Sequence, residues 1–213
     1  METKSRILEK AQALFMRFGI RSVSMDNIAS ELGMSKKTIY QYYTDKDELV
    51  HAVMDGEVAR THQDCEFCKR HSGNAIEEMF LTMQQVHEHF SKLNPSVLYD
   101  LEKFHPGAFA KFRKMKEEYL MEVIADNIRR GKEEGVYRED IPVELMSRYR
   151  VETMMIPFVM AAQAPNEYNL ADVSKEVMEH FFIGISTLKG FKQIMKLKEE
   201  QLKKKHYDST RKK

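Results

Sequence analysis

Apolar residues return along this chain at intervals of three and four, with polar residues between them, which is the period of an amphipathic helix. In the first segment Ile7, Leu8, Ala11, Leu14, Phe15 and Phe18 form one stripe, and Gly19 is placed to end that helix. Ser24 can cap a second helix whose inward residues are Ile28, Ala29 and Leu32 and which Gly33 terminates. Ser35 can cap a third, very short helix. Asp45 with Glu48 three residues later has the form of a capping box that starts a fourth, expected from Lys46 towards Arg70.

The pattern continues beyond. "SGNAIEE" opens a helix with Ile76, Met79, Phe80, Met83 and Val86 on one side, and Pro95 interrupts soon after it. "FHPGAF" reads as a turn into a long charged helix reaching "GKEEG". Pro142 suits the first turn of the next helix, and Pro157 within that helix removes a backbone donor and should kink or divide it. A last helix is expected from about Leu170 into the lysine-rich end. No alternating strand pattern and no internal repeat is visible, so the fold class expected is all-α. A small N-terminal unit of three helices (residues 1–48) would precede a larger helical domain (49–213).

Two helices, a tight glycine turn and a short third helix make the helix-turn-helix arrangement, whose last helix enters the major groove of DNA. That gives "MSKKTIYQYYTDK" a chemical sense. With Ile39 and Tyr43 holding the third helix to its core, Lys36, Lys37, Thr38, Tyr40, Gln41 and Tyr42 remain as donors and acceptors on open faces. Lys46, in the first turn of the fourth helix, combines an ammonium with free backbone amides and suits a phosphate, as does Ser24 at the start of the second. Gln41 and Lys36 or Lys37 suit base edges, Thr38 suits a thymine methyl, and the hydroxyls of Tyr40 and Tyr42 suit the DNA backbone. The same side chains are also what an ordinary wet helix surface displays.

From Ile7 to Val50, about a fifth of the chain, the sequence resembles the TetR family of bacterial transcriptional regulators. The resemblance rests on Ala11 and Phe15 before Gly19, Ile28-Ala29 before Gly33, then Ser35, Thr38, Tyr40 and Lys46. It implies that Ser24, Lys36, Lys37, Thr38, Tyr40, Gln41, Tyr42 and Lys46 face a double-stranded DNA operator. It also implies a homodimer, with the segments Pro142 to Ala164 and Leu170 to Lys198 forming a four-helix interface that spans two half-sites. The family further implies an effector cavity whose occupancy alters the spacing of the two reading heads. Candidate lining residues are Met79, Phe80, Met83, Phe90, Leu98, Phe104, Phe109, Phe112, Met115, Tyr119, Met155 and Phe158. Each of these also suits an ordinary core. Few charges fall among them, which favours an apolar or aromatic small-molecule effector that releases a repressor from its operator.

Composition adds limits. Hydrophobic residues are 42% and charged residues 31% of 213, enough to bury a core. No apolar run approaches the roughly 20 residues of a membrane span, and "METKSRILEK" lacks a signal-peptide core, so a cytoplasmic protein with no membrane partner is expected. Net charge is +1, but unevenly spread: residues 1–50 have eight basic against seven acidic side chains, and residues 189–213 ten against three. An acidic middle with a basic tail results, and such tails are commonly just solvated.

"HQDCEFCKRH" places His62, Cys65, Cys68 and His71 at steps of three, all ligands that zinc, copper or nickel accept. On a regular helix each step of three turns the side chain by about −60°, which spreads the set over half the cylinder. A metal- or redox-responsive regulator is therefore the alternative reading, and no metal or cofactor is assigned. No G-x-S-x-G, Walker loop or H-E-x-x-H motif with a convincing context occurs, so no enzyme is expected.

Overall fold

The computed structural model describes the backbone of residues 2–211 and the side chains of residues 2–203. Most of the basic tail, from residue 204 onward, therefore lies outside the described side chains. The described residues fold into helices α1 (Thr3–Phe18), α2 (Met25–Leu32), α3 (Lys36–Tyr40), α4 (Lys46–His71), α5 (Ala75–Phe90), α6 (Ser96–Phe104) and α7 (Pro106–Lys114). A π-helical turn (Met115–Leu120) joins α7 to α8 (Met121–Glu133). Then come α9 (Val143–Thr153), α10 (Ile156–Gln163), α11 (Leu170–Ile185) and α12 (Leu188–Arg211). Among the described residues there is no strand, only one bridge between Tyr137 and Ser186.

Local chemistry sets the ends of the first helices. The Ser24 hydroxyl accepts from the backbone N–H of Asn27, while the Asn27 side chain accepts from the Ser24 N–H, a reciprocal box. Gly33 leaves α2 in the left-handed region at φ 62°. Ser35 caps α3 through the N–H of Thr38, and Asp45 caps α4 through the N–H of Glu48. The returning half of the Asp45 box differs from the expected form: Glu48 reaches one residue further and accepts from the N–H and hydroxyl of Thr44 at 2.6 and 2.8 Å.

Two cores form. The first gathers Ile7, Ala11 and Phe15 of α1, Ile28 of α2, Ile39 and Tyr43, then Leu49, Val50, Val53 and Met54 of α4, with Val97, Leu101 and Ala108 of α6 and α7. It thus reaches past residue 48, because α4 is unbroken there and its first two turns face inward. The second core joins Ile76, Met79, Phe80 and Met83 of α5 to Ile128 of α8, Tyr137, and Met178, Phe181, Phe182 and Ile185 of α11.

Two features depart from the sequence expectation, and one expected division is seen. Residues 96–104 form a helix of their own, α6, launched by Pro95. As expected, the segment containing Pro157 is divided, at Met154 and Met155, with Pro157 in the first turn of a new helix, α10. The last helix is also divided: Ser186 and Thr187 leave the helical path where Tyr137 pairs with Ser186 and the N–H of Thr187 donates to the Val136 carbonyl at 3.0 Å.

Candidate functional site

The short helix α3 is held by Ile39 and Tyr43, both buried, and by partly buried Tyr42 and Met34 packed on the first core. Lys36, Lys37, Tyr40 and Gln41 are exposed, and Thr38 is half-buried with its hydroxyl 2.9 Å from that of Ser35. Ser24 lies exposed at the start of α2. Two of the candidate DNA contacts are already engaged. The Lys36 ammonium donates to Asp26 at 2.9 Å, and that bond raises its pKa. The Lys46 ammonium donates to the Ile20 carbonyl at 2.6 Å, and burial lowers its pKa while Asp100 opposes the shift. Lys46 thus braces the α1–α2 turn from the first turn of α4.

That turn is also where the head meets the body. The N–H of Arg21 donates to the buried carboxylate of Asp100 on α6 at 2.8 Å, and the N–H of Asn94 donates to the Met16 carbonyl at 2.7 Å. Gly19 permits the approach: a β-carbon there would fall 2.6 Å from the Ser96 hydroxyl oxygen, and its φ of 86° suits glycine.

Between the two cores lies a cavity of about 260 Å³. Of the residues expected in its wall, Met79, Phe90, Leu98, Phe112, Met115, Met155 and Phe158 border it. Phe80 and Met83 lie in the second core, Phe109 packs against the first, and Phe104 is exposed with its edge towards Tyr99. Tyr119 meets the His62 ring at a tilt of 33°, 3.8 Å between ring centres. Helical period identified an apolar face, but α5 and α7 each serve two neighbours, and period alone does not say which neighbour a residue meets.

Sequence reasoning missed several wall residues. Arg60, Asp64, Glu57 and His89 sit at the edge of the cavity nearest α1. There Glu57 accepts from the Gln12 side chain of α1 at 2.6 Å and lies 3.5 Å from the His89 ring, and Arg60 lies 3.5 Å from Asp64. Burial lowers the pKa of His89, partly offset by Glu57. Arg150 on α9 also lines the cavity and is 6% exposed. Its inward position was readable, since it falls four residues after Met146 and one before Val151, which is fully buried.

The four His and Cys residues of α4 do not come together. Cys65 and Cys68 turn to the cavity, His62 meets Tyr119, and His71 stacks on Phe67 at 4.0 Å. Burial pushes the Cys65 thiol up to about 12 and raises that of Cys68 as well. Among the described residues no three His, Cys, Asp or Glu side chains are grouped to hold a metal ion. Because α4 runs on to His71, the spread expected of an intact helix holds.

A family model described as bacterial regulatory proteins, tetR family, matches residues 7–53, from the first stripe through the start of α4. Over that segment the chain is similar to the TetR family. The chain is 32% identical over 118 residues to an uncharacterized HTH-type transcriptional regulator, YvaF, of Bacillus subtilis (strain 168). That match spans 54% of this chain but only 62% of the relative, less than two thirds of its length. A second relative, the HTH-type transcriptional repressor SCO4008 of Streptomyces coelicolor, is 29% identical over 140 residues, covering 66% of this chain and 70% of its own. The solved structure of a TetR-family regulator from Agrobacterium tumefaciens superposes with a TM-score of 0.70 over 86% of this chain and 97% of its own. At 14% identity that likeness speaks for the fold. Among the described residues no helix is long and apolar enough to cross a membrane.

Proposed function

We propose that this protein is a ligand-responsive DNA-binding transcriptional regulator of the TetR family that acts as a cytoplasmic homodimer and represses by occupying an inverted-repeat operator. The observation that carries the reading is the double contact of α6. One face presents Val97, Leu98 and Leu101 to the cavity, while Asp100 on the same helix holds the Arg21 N–H of the head. A ligand that favours one position of α6 therefore biases the position of the head, and its effect on DNA affinity equals its difference in affinity for the two positions.

On DNA, Lys37, Tyr40 and Gln41 meet the groove directly, with Ser24, Thr38 and Tyr42 beside them. Lys36 exchanges Asp26 for DNA, and Lys46 exchanges the Ile20 carbonyl for a phosphate. Dimerisation is supported by the outward apolar residues Leu145 and Tyr149 of α9, Ile156 and Val159 of α10, and Leu188 and Phe191 of α12, all at least 39% exposed. A two-fold pair sets two reading helices about 34 Å apart, one turn of DNA.

The test is selection from a random duplex library at moderate salt, with the mass in solution measured by light scattering. An enriched inverted repeat bound by a dimer is expected. Lys46→Ala should weaken binding across all sequences and reduce the slope of log affinity against log salt by about 0.9. Salt-sensitive binding that enriches no sequence, or a monomer on DNA, would sink the reading.

A further inference from the structure

Charges in the wall of the cavity are paired, with one exception. Glu57 faces His89 and Gln12, Asp64 faces Arg60, and Glu78 lies 3.1 Å from Arg130. Arg150 is the exception: among the described residues no carboxylate or hydrogen-bond acceptor partners its guanidinium, although the side chain is more than nine-tenths buried. The neighbouring carboxylate on its own helix, Glu152, is taken by Lys116 at 3.4 Å and Arg148 at 2.9 Å. Burial with nothing to offset it brings the Arg150 pKa down to about 10, which still leaves the group charged at neutral pH.

An unpaired buried cation is costly, and a guanidinium presents a planar fork of donors that matches a carboxylate. The same cavity wall includes the apolar residues Met154, Met155, Phe158, Val177 and Met178, from the loop before α10, α10 itself and α11. The volume limits the size: a cavity of about 150 Å³ accepts benzene, so about 260 Å³ suits roughly ten to twelve non-hydrogen atoms.

We propose that the effector is a small amphipathic carboxylate, its anion held by the Arg150 fork and its hydrocarbon or aromatic body filling the methionine- and phenylalanine-lined space. This rests on the ligand-responsive reading above and narrows it, because a purely apolar effector leaves Arg150 as it stands. Anion binding completes the pairing of charges in the wall.

The probes are decanoate and 4-phenylbutanoate, each with its primary amide as a neutral isostere, titrated calorimetrically into the full chain and into Arg150→Met. The carboxylates are expected to bind the native protein on the order of ten- to a hundredfold more tightly than the amides, as charge-assisted hydrogen bonds are worth. In Arg150→Met that preference is expected to vanish while the amides keep their affinity. The unliganded variant is expected to melt higher than the native chain, since it no longer buries a lone charge; this shows that it folds. Amides that bind as tightly as carboxylates, or a preference that survives in Arg150→Met, would overturn the anion proposal and leave a cavity that takes neutral ligands. Binding of neither class would overturn the proposal together with the assignment of this cavity as the effector site, leaving DNA binding to stand on its own test.

Discussion

Replacing Asp100 by alanine strikes the bond that ties the head to α6. The carboxylate is 5% exposed and accepts the Arg21 N–H at 2.8 Å, so the substitution removes a charged acceptor and strands a donor at the α1–α2 turn. A hydrogen bond to a charged group is worth about 1.5–3 kcal/mol. At about 1.4 kcal/mol per factor of ten, the open form of the turn should gain between roughly ten- and a hundredfold in population. Lys46 also loses the attraction that opposes its desolvation. The assay pairs hydrogen exchange at the Arg21 amide with the factor by which effector alters DNA affinity. Protection at Arg21 should fall by that tenfold or more, while the Arg138 amide, bonded to the Ile185 carbonyl by the second core, keeps its rate. The effector's influence on DNA affinity should fall towards none. Asp100→Asn retains an oxygen acceptor and should lie between. If Arg21 loses its protection and the effector still changes DNA affinity by the full factor, α6 is not the transmitting element.

Two further outcomes follow from buried groups. Burial lowers the pKa of His89 below its ordinary 6.5, so the unfolded chain binds more protons than the folded one in that range. Its contribution to stability is complete above pH 6.5 and declines as pH falls from there through the folded pKa; His89→Gln, followed by urea unfolding across pH 5–8, should flatten that slope. With the Cys65 thiol at about 12, iodoacetamide at pH 8 should modify it on the order of a hundredfold or more slower than a free thiol. Mass spectrometry of native and urea-treated protein checks this, and rapid native labelling would contradict the burial that raises both thiols.

The sequence carried the first helices and their caps almost whole. Ser24, Gly33, Ser35 and Asp45 are short-range signals, each acting within four residues, and short-range signals can be read without knowing what packs against them. The cavity was harder for the opposite reason. Met79 and Phe80 are adjacent and both apolar, yet only Met79 borders the cavity, and the choice depends on where α8 and α11 lie. α6 was hidden because ten residues between Pro95 and Pro106 look like a connection. The cysteine spacing drew attention to metal chemistry, whereas helical geometry turns the two thiols to the cavity and the two histidines to aromatic neighbours. Arg150 was legible as a charged residue on an inward position, but its lack of a partner is a fact of three dimensions.

The π-helical turn from Met115 to Leu120 sits in the middle of one rod, with α7 before it and α8 after it. α7 turns Ala108, Phe109 and Phe112 towards the first core, and α8 turns Ile124 and Ile128 towards the second. A wide turn takes up about one extra residue, which advances the phase of all that follows by about 100°. The rod is therefore two helices keyed to one shaft at an offset, and Met115 and Leu120 at the key both touch the cavity. Restoring ordinary helical geometry at that one turn would swing α7 through about 100° against α8 without lengthening either. In this fold the angular setting of the rod is fixed beside the cavity, at the chain's point of rotation.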